Sequence, residues 1–233
     1  MNAKMIYNNE ITFKAGKVLL EGTLAVPENA KGIILFCHGI NSSRHSPRNT
    51  HLAPIFNNHG LATLLVSLEK VEEDLFLKGS NLTELAERVT DVTQALMNIN
   101  PTKKLPVGYF GSGTGAAVAL VASLGLKEIV KTIVCRDASP ESAVELLAQV
   151  KVPVLFICAQ KDKEGIAINE MAKGYMKSKC ELKVIENASY LFEEEGKLDE
   201  VAQLSMEWYK QYLIPLQETS SDSSSLRNLH VVG

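Results

Sequence analysis

One stretch constrains this chain more than any other: residues 107–117, VGYFGSGTGAA. An apolar run ends in three alternating glycines, Gly111, Gly113 and Gly115, and passes directly into the small-residue segment Ala116 to Ser123. That order reads as buried strand, tight turn, then helix. The turn has the outline of G-x-S-x-G, in which the middle residue is a nucleophile held on a strained bend and the flanking glycines let strand and helix pack closely. Here the middle residue is Gly113, which has no side chain. The motif announces a fold and withholds the hydroxyl that usually comes with it.

The segments around this turn alternate between strand and helix patterns. Glu10 to Lys14 and Val18 to Val26 flank Ala15-Gly16-Lys17 as a β-hairpin that Pro27 closes. Gly32 to Cys37 and Ala62 to Leu68 are continuous apolar runs suited to strands covered on both faces. Between them a helix is expected from Pro47 to Asn58, with Gly60 as its stop. Leu82, Leu85, Val89, Val92 and Leu96 recur at helical spacing within an amphipathic helix from Leu82 to Ile99.

After the glycine turn come strands at Ile129 to Cys135, Val152 to Ala159 and Glu181 to Glu186. Helices are expected from Ser139-Pro140-Glu141, where the hydroxyl of Ser139 is placed to cap, from Ile166 to Met176, and from Lys197 to Leu213. Such alternation indicates an α/β fold, a mostly parallel central sheet with helices on both faces and an N-terminal hairpin. Residues 1–215 make one domain, within reach of a single core at this length. Residues 69–81 are polar and loop-like, and residues 216–233 form a serine-rich tail too polar to pack alone.

Composition excludes several functions. A net charge of -3 gives no reason to expect nucleic acid or an anionic membrane as partner. No run is apolar enough to span a bilayer and the N-terminus has no signal-like apolar core, so the expected compartment is the cytoplasm. Cys37, Cys135, Cys158 and Cys180 show no metal-ligand spacing and read as reduced thiols in the core. No metal and no cofactor is expected.

The segments HGINSSRHSPRN (residues 38–49), GYFGSGTGAA (108–117), AQKD (159–162) and NASYLFEEEGKLDEVA (187–202) together resemble an α/β-hydrolase of the dienelactone-hydrolase-like group. The resemblance runs from about Ile11 to Leu213. It implies a serine nucleophile at the turn, an aspartate after a late strand and a histidine before the last helix. Asp162 matches the aspartate. The nucleophile position is Gly113, and the histidine position, which the family usually has as T-H-L-F, is Tyr190. Without a hydroxyl no acyl-enzyme forms, and without an imidazole no group with a pKa near 7 exchanges the proton. The expectation is a protein inactive as a serine hydrolase that keeps a pocket for a small molecule or an anion, in which the Tyr190 hydroxyl donates to Asp162.

The pocket is expected from His38, Gly39, Ile40, Arg44, Ser112 and Thr114, with backbone donors at Thr114 and near Ile40. Arg48 adjoins it on the same loop and Arg136 ends the next strand; surface ion pairing is the plainer role for such arginines. An active hydrolase of small esters or lactones, using Ser112 or Thr114 with Asp162, is the alternative. A remote one is dinucleotide binding, because Gly111 to Ala116 also fits G-x-G-x-x-A and Asp137 follows at a suitable distance.

Overall fold

The computed structural model describes residues 3–38, 43–68 and 81–214. Gly39, Ile40, the polar segment 69–80 and the serine-rich tail lie outside them. Eight strands form one sheet in the order β1-β2-β4-β3-β5-β6-β7-β8. The hairpin is β1 (Met5–Ala15) and β2 (Val18–Pro27), longer on its first arm than its alternation suggested. β2 pairs antiparallel with β4 (Ala62–Val66), and every later neighbour is parallel: β3 (Ile33–Cys37), β5 (Val107–Gly113), β6 (Val130–Ala138), β7 (Val154–Ala159) and β8 (Cys180–Ile185). β3, β4 and β7 are buried along their whole length, which is why their sequences read as unbroken apolar runs.

Helices cover both faces. On one side α1 (Pro47–Asn58) and α5 (Lys197–Tyr212) pack Leu52, Phe56, Val201 and Tyr209 against Ile34, Phe36, Phe110 and Val134 of the sheet. On the other, α2 (Leu82–Leu96), α3 (Thr114–Ala122) and α4 (Lys163–Tyr175) meet Leu35, Tyr109, Ile133 and Phe156. Several polar atoms that enter this core are paired across it. Tyr209 donates to the carbonyl of Tyr109 at 2.9 Å, and the Trp208 indole donates to Thr132 Oγ1 at 2.7 Å.

Two helix starts differ from expectation. α4 begins three residues before Ile166, because the Asp162 side chain accepts from the Gly165 amide and caps the helix there. Residues Glu141–Gln149 form a 3-10 helix, and its N-cap is Pro140 with no side-chain cap, so the hydroxyl of Ser139 does not have the role its position suggested. α3 starts at Thr114, immediately at the glycine turn.

Candidate active site

Gly113 is both the last residue of β5 and the N-cap of α3, with φ 53 and ψ -128. A residue with a side chain is strained in that region, whereas glycine enters it freely. A Cβ built on Gly113 would meet nothing within 4 Å, so the apex of the turn faces open space. The open space is a cavity of about 180 Å³ at the carboxyl edge of the sheet, lined in part by Gly113, Asp137, Ser139, Asp162, Glu164 and Tyr190. Ligand sites of open α/β sheets occur at this edge.

The structure therefore brings together Gly113, Asp162 and Tyr190 from three separated segments. Asp162 is held by its bond to the Gly165 amide at 2.9 Å. Tyr190 is 59% exposed and makes no hydrogen bond to Asp162, contrary to the expected pairing: the carboxylate already serves as a helix cap, and the tyrosine faces outward. Its segment is pinned by Glu194, which accepts from the Ser189 amide at 3.0 Å and pairs with Lys161 at 2.8 Å. The Lys161 ammonium and the Ser189 amide hold the Glu194 carboxyl down at about 2.

Other expected pocket residues have different duties. Arg44 lies against the hairpin in ion pairs with Glu10 (2.6 Å) and Glu21 (3.1 Å), its plainer role. His38 is buried at the end of β3, where its Nε2 accepts from the Leu68 amide at 2.9 Å. A nitrogen so engaged is not offering itself as a base. Ser112 shares the strand parity of Phe110, which packs towards α1 and α5, while Thr114 is the exposed first residue of α3. Three of the four cysteines are fully buried and Cys180 is half-buried; burial raises all four thiols, those of Cys158 and Cys180 to about 12. They are inert.

Sequence reasoning placed Asp137 only in the dinucleotide alternative, yet it lines this cavity. The β5–β6 register explains how. Ser112 stands opposite Arg136 and Gly113 opposite Ala138, so Asp137 is an extra residue bulged out of the ladder. It has φ 47, and a bulge of this kind re-aims a side chain at the end of a strand. Its Oδ1 is buried without a hydrogen-bond partner. Burial first, and then the charge of Asp162, push the Asp137 carboxyl up to about 7, against the opposing pull of Arg136.

A carboxyl raised in this way binds its proton more tightly folded than unfolded. Stability then falls as pH rises from about 4, the unfolded value, to about 7, and the penalty is complete above that. Asp137→Asn, which keeps a residue type that tolerates positive φ, is expected to match the wild type at pH 4. At pH 8 it should be more stable by about 1–2 kcal/mol, a figure discounted for partial exposure. Thermal melts at the two pH values check this, and an equal shift at both would overturn it.

Among the described residues no group of three or more His, Cys, Asp or Glu is placed to hold a metal ion, and no helix is long and apolar enough to cross a membrane.

A mostly parallel eight-stranded sheet whose central strand turns sharply into a buried helix defines an α/β-hydrolase fold. Est1E from Butyrivibrio proteoclasticus shares it with a TM-score of 0.72 at 12% identity, over 87% of this chain and 98% of that one. The dienelactone hydrolase of Anabaena variabilis is far more similar: TM-score 0.85 and 40% identity, covering 89% of this chain and 98% of that one. The chain belongs to the dienelactone hydrolase family. Proteins from two strains of Mycobacterium tuberculosis, provisionally named phosphoribosyl transferases, are 39% identical over 209 residues. The match takes in 88% of this chain, which spans about half (47%) of the length of those relatives. No family model matches the chain.

Proposed function

We propose that this protein holds a small molecule in the cavity over Gly113 and does not act on it as a serine hydrolase. The observation that carries the reading is the apex itself: a glycine with φ 53 facing open space where the family resemblance leads one to expect an attacking side chain. No histidine is among the described residues that line the cavity. The position read as the family's histidine is Tyr190, which carries no imidazole to take and return the proton. Fold and family do not by themselves assign an activity, which has to rest on the groups present.

Among the described residues the cavity wall includes three carboxyls, Asp137, Asp162 and Glu164, and no lysine or arginine. It suits a neutral or cationic ligand better than an anion. Asp137, near 7, is able to donate as a neutral acid or accept as a carboxylate. The transferase name of the mycobacterial relatives belongs to proteins about twice as long as the matched region, and the hydrolase-like site described here supplies no separate support for it.

A fluorophosphonate probe with a panel of small esters and lactones tests the reading. The wild type is expected to show no covalent labelling and no turnover above the buffer rate. Labelling that disappears in Ser112→Ala or Thr114→Ala would overturn it in favour of a hydrolase with a displaced nucleophile.

A further inference from the structure

Arg136 lies on the opposite side of β6 from Ile133 and Cys135, which pack in the core under α2 and α3. It shares the parity of Thr132, which binds Trp208 of α5, and of Val134, which packs among residues of α1 and α5. Its side chain is thus directed beneath these two helices. The residue is only 5% exposed, and its Nε and Nη1 are buried without a hydrogen-bond partner. Arg48, in the first turn of α1, has its Nε buried and unpartnered as well. The two lie close enough for Arg48 to depress the Arg136 guanidinium, which burial principally, and Arg48 next, lower to about 10.

Two neighbouring cations with unbonded donors are an arrangement that a folded chain tolerates poorly unless something compensates them. The protein supplies little. Among the described residues Asp137 is the one carboxylate that acts on Arg136, and it makes no hydrogen bond to it. The end of α1 nearest Arg48 adds to the positive field. It has no side-chain cap and no acidic residue in its first turn, so neither its N-cap nor its first turn offsets its dipole. Tyr190, which also acts on Arg136, brings a hydroxyl from the segment before α5.

We infer that Arg136, Arg48 and the N-terminus of α1 form a binding site for a doubly charged oxyanion, a phosphate or a phosphate monoester. The charge balance chooses the dianion. Asp137, raised to about 7, offsets only part of the two positive charges; a monocarboxylate neutralises one guanidinium, whereas a phosphate dianion carries charge enough for both. Asp137 and Tyr190, which act on Arg136, also line the cavity over Gly113, so the site adjoins that cavity; phosphate binding is nevertheless tested without reference to ester turnover.

The test is a titration of the full chain with inorganic phosphate at constant ionic strength, followed by melting temperature and calorimetry. Sodium acetate and phenyl phosphate are titrated in parallel. Phosphate is expected to bind with a dissociation constant below about 1 mM and to raise the melting temperature saturably. Acetate should bind at least about tenfold more weakly. Arg48→Ala, on a half-exposed helix turn, should weaken phosphate about 10- to 100-fold. Arg136→Met should abolish the response without lowering the ligand-free melting temperature, since an uncompensated buried charge is being replaced by an apolar chain of similar length. Lys103→Ala, at an exposed position elsewhere, should change nothing. Phenyl phosphate binding as well as or better than phosphate supports a monoester as the natural source, and weaker binding supports free phosphate. No response in the wild type, an undiminished affinity in Arg48→Ala, or acetate equal to phosphate would each overturn the site, even if Arg136→Met fails to fold.

Discussion

Replacing Gly111 by alanine is expected to destabilise the protein by about 3 kcal/mol or more, the upper range for inserting atoms into a packed core. A Cβ at this position would stand 2.6 Å from the Ala116 Cα, 2.8 Å from the Gly115 carbonyl oxygen and 2.9 Å from the Ala116 nitrogen. All three are backbone atoms, so no side-chain rotation relieves the contact. The backbone has little freedom to move either. β5 is bonded on one side to β3 and on the other to β6, and α3 is buried along most of its length. For a chain of this size each kcal/mol lowers the melting temperature by about 2–4 °C, so a fall of roughly 6–12 °C is expected. A melt within about 2 °C of the wild type would mean that α3 is not held against β5 as tightly as described. Gly113→Ala makes the useful contrast. It meets no atoms within 4 Å and should lose only the backbone strain of a positive φ, about 1–3 kcal/mol.

The second large effect concerns chemistry. The double variant Gly113→Ser with Tyr190→His is expected to gain ester turnover at least about 100-fold above the wild type. Each single variant should stay near the wild-type level, because nucleophile and base act as a unit. The geometry favours the experiment: the apex has room for a serine side chain, and positions 113, 162 and 190 line the same cavity. The serine enters a strained conformation, so some stability should be lost as activity appears. Equal gains from Gly113→Ser alone would show that Tyr190 is not where the missing base belongs. No gain from the double variant, with a native melting curve, would show that Asp162, committed to capping α4, does not orient an imidazole at 190.

The apolar runs at residues 33–37, 62–66 and 154–159 announced a parallel sheet because strands covered on both faces have no polar side to display. The alternating glycines located the turn, since a close strand–helix approach and a positive φ both demand the absence of a Cβ. Asp162 is singled out through the family resemblance of AQKD, at the end of a buried strand. What local pattern does not encode is register. Asp137 reaches the cavity because β6 carries one residue more than β5 at that level, a relation between two strands that neither sequence displays alone. The same holds for charges. Arg44 and Arg48 stand four residues apart and look equivalent, yet one is neutralised by Glu10 and Glu21 of the hairpin and the other is near enough to Arg136 to depress it. Strand and helix identity follow from forces between near neighbours in the chain, which the order of residues states directly. The partners of a carboxylate or a guanidinium come from segments tens of residues away, and only packing of the whole sheet and its helices chooses them.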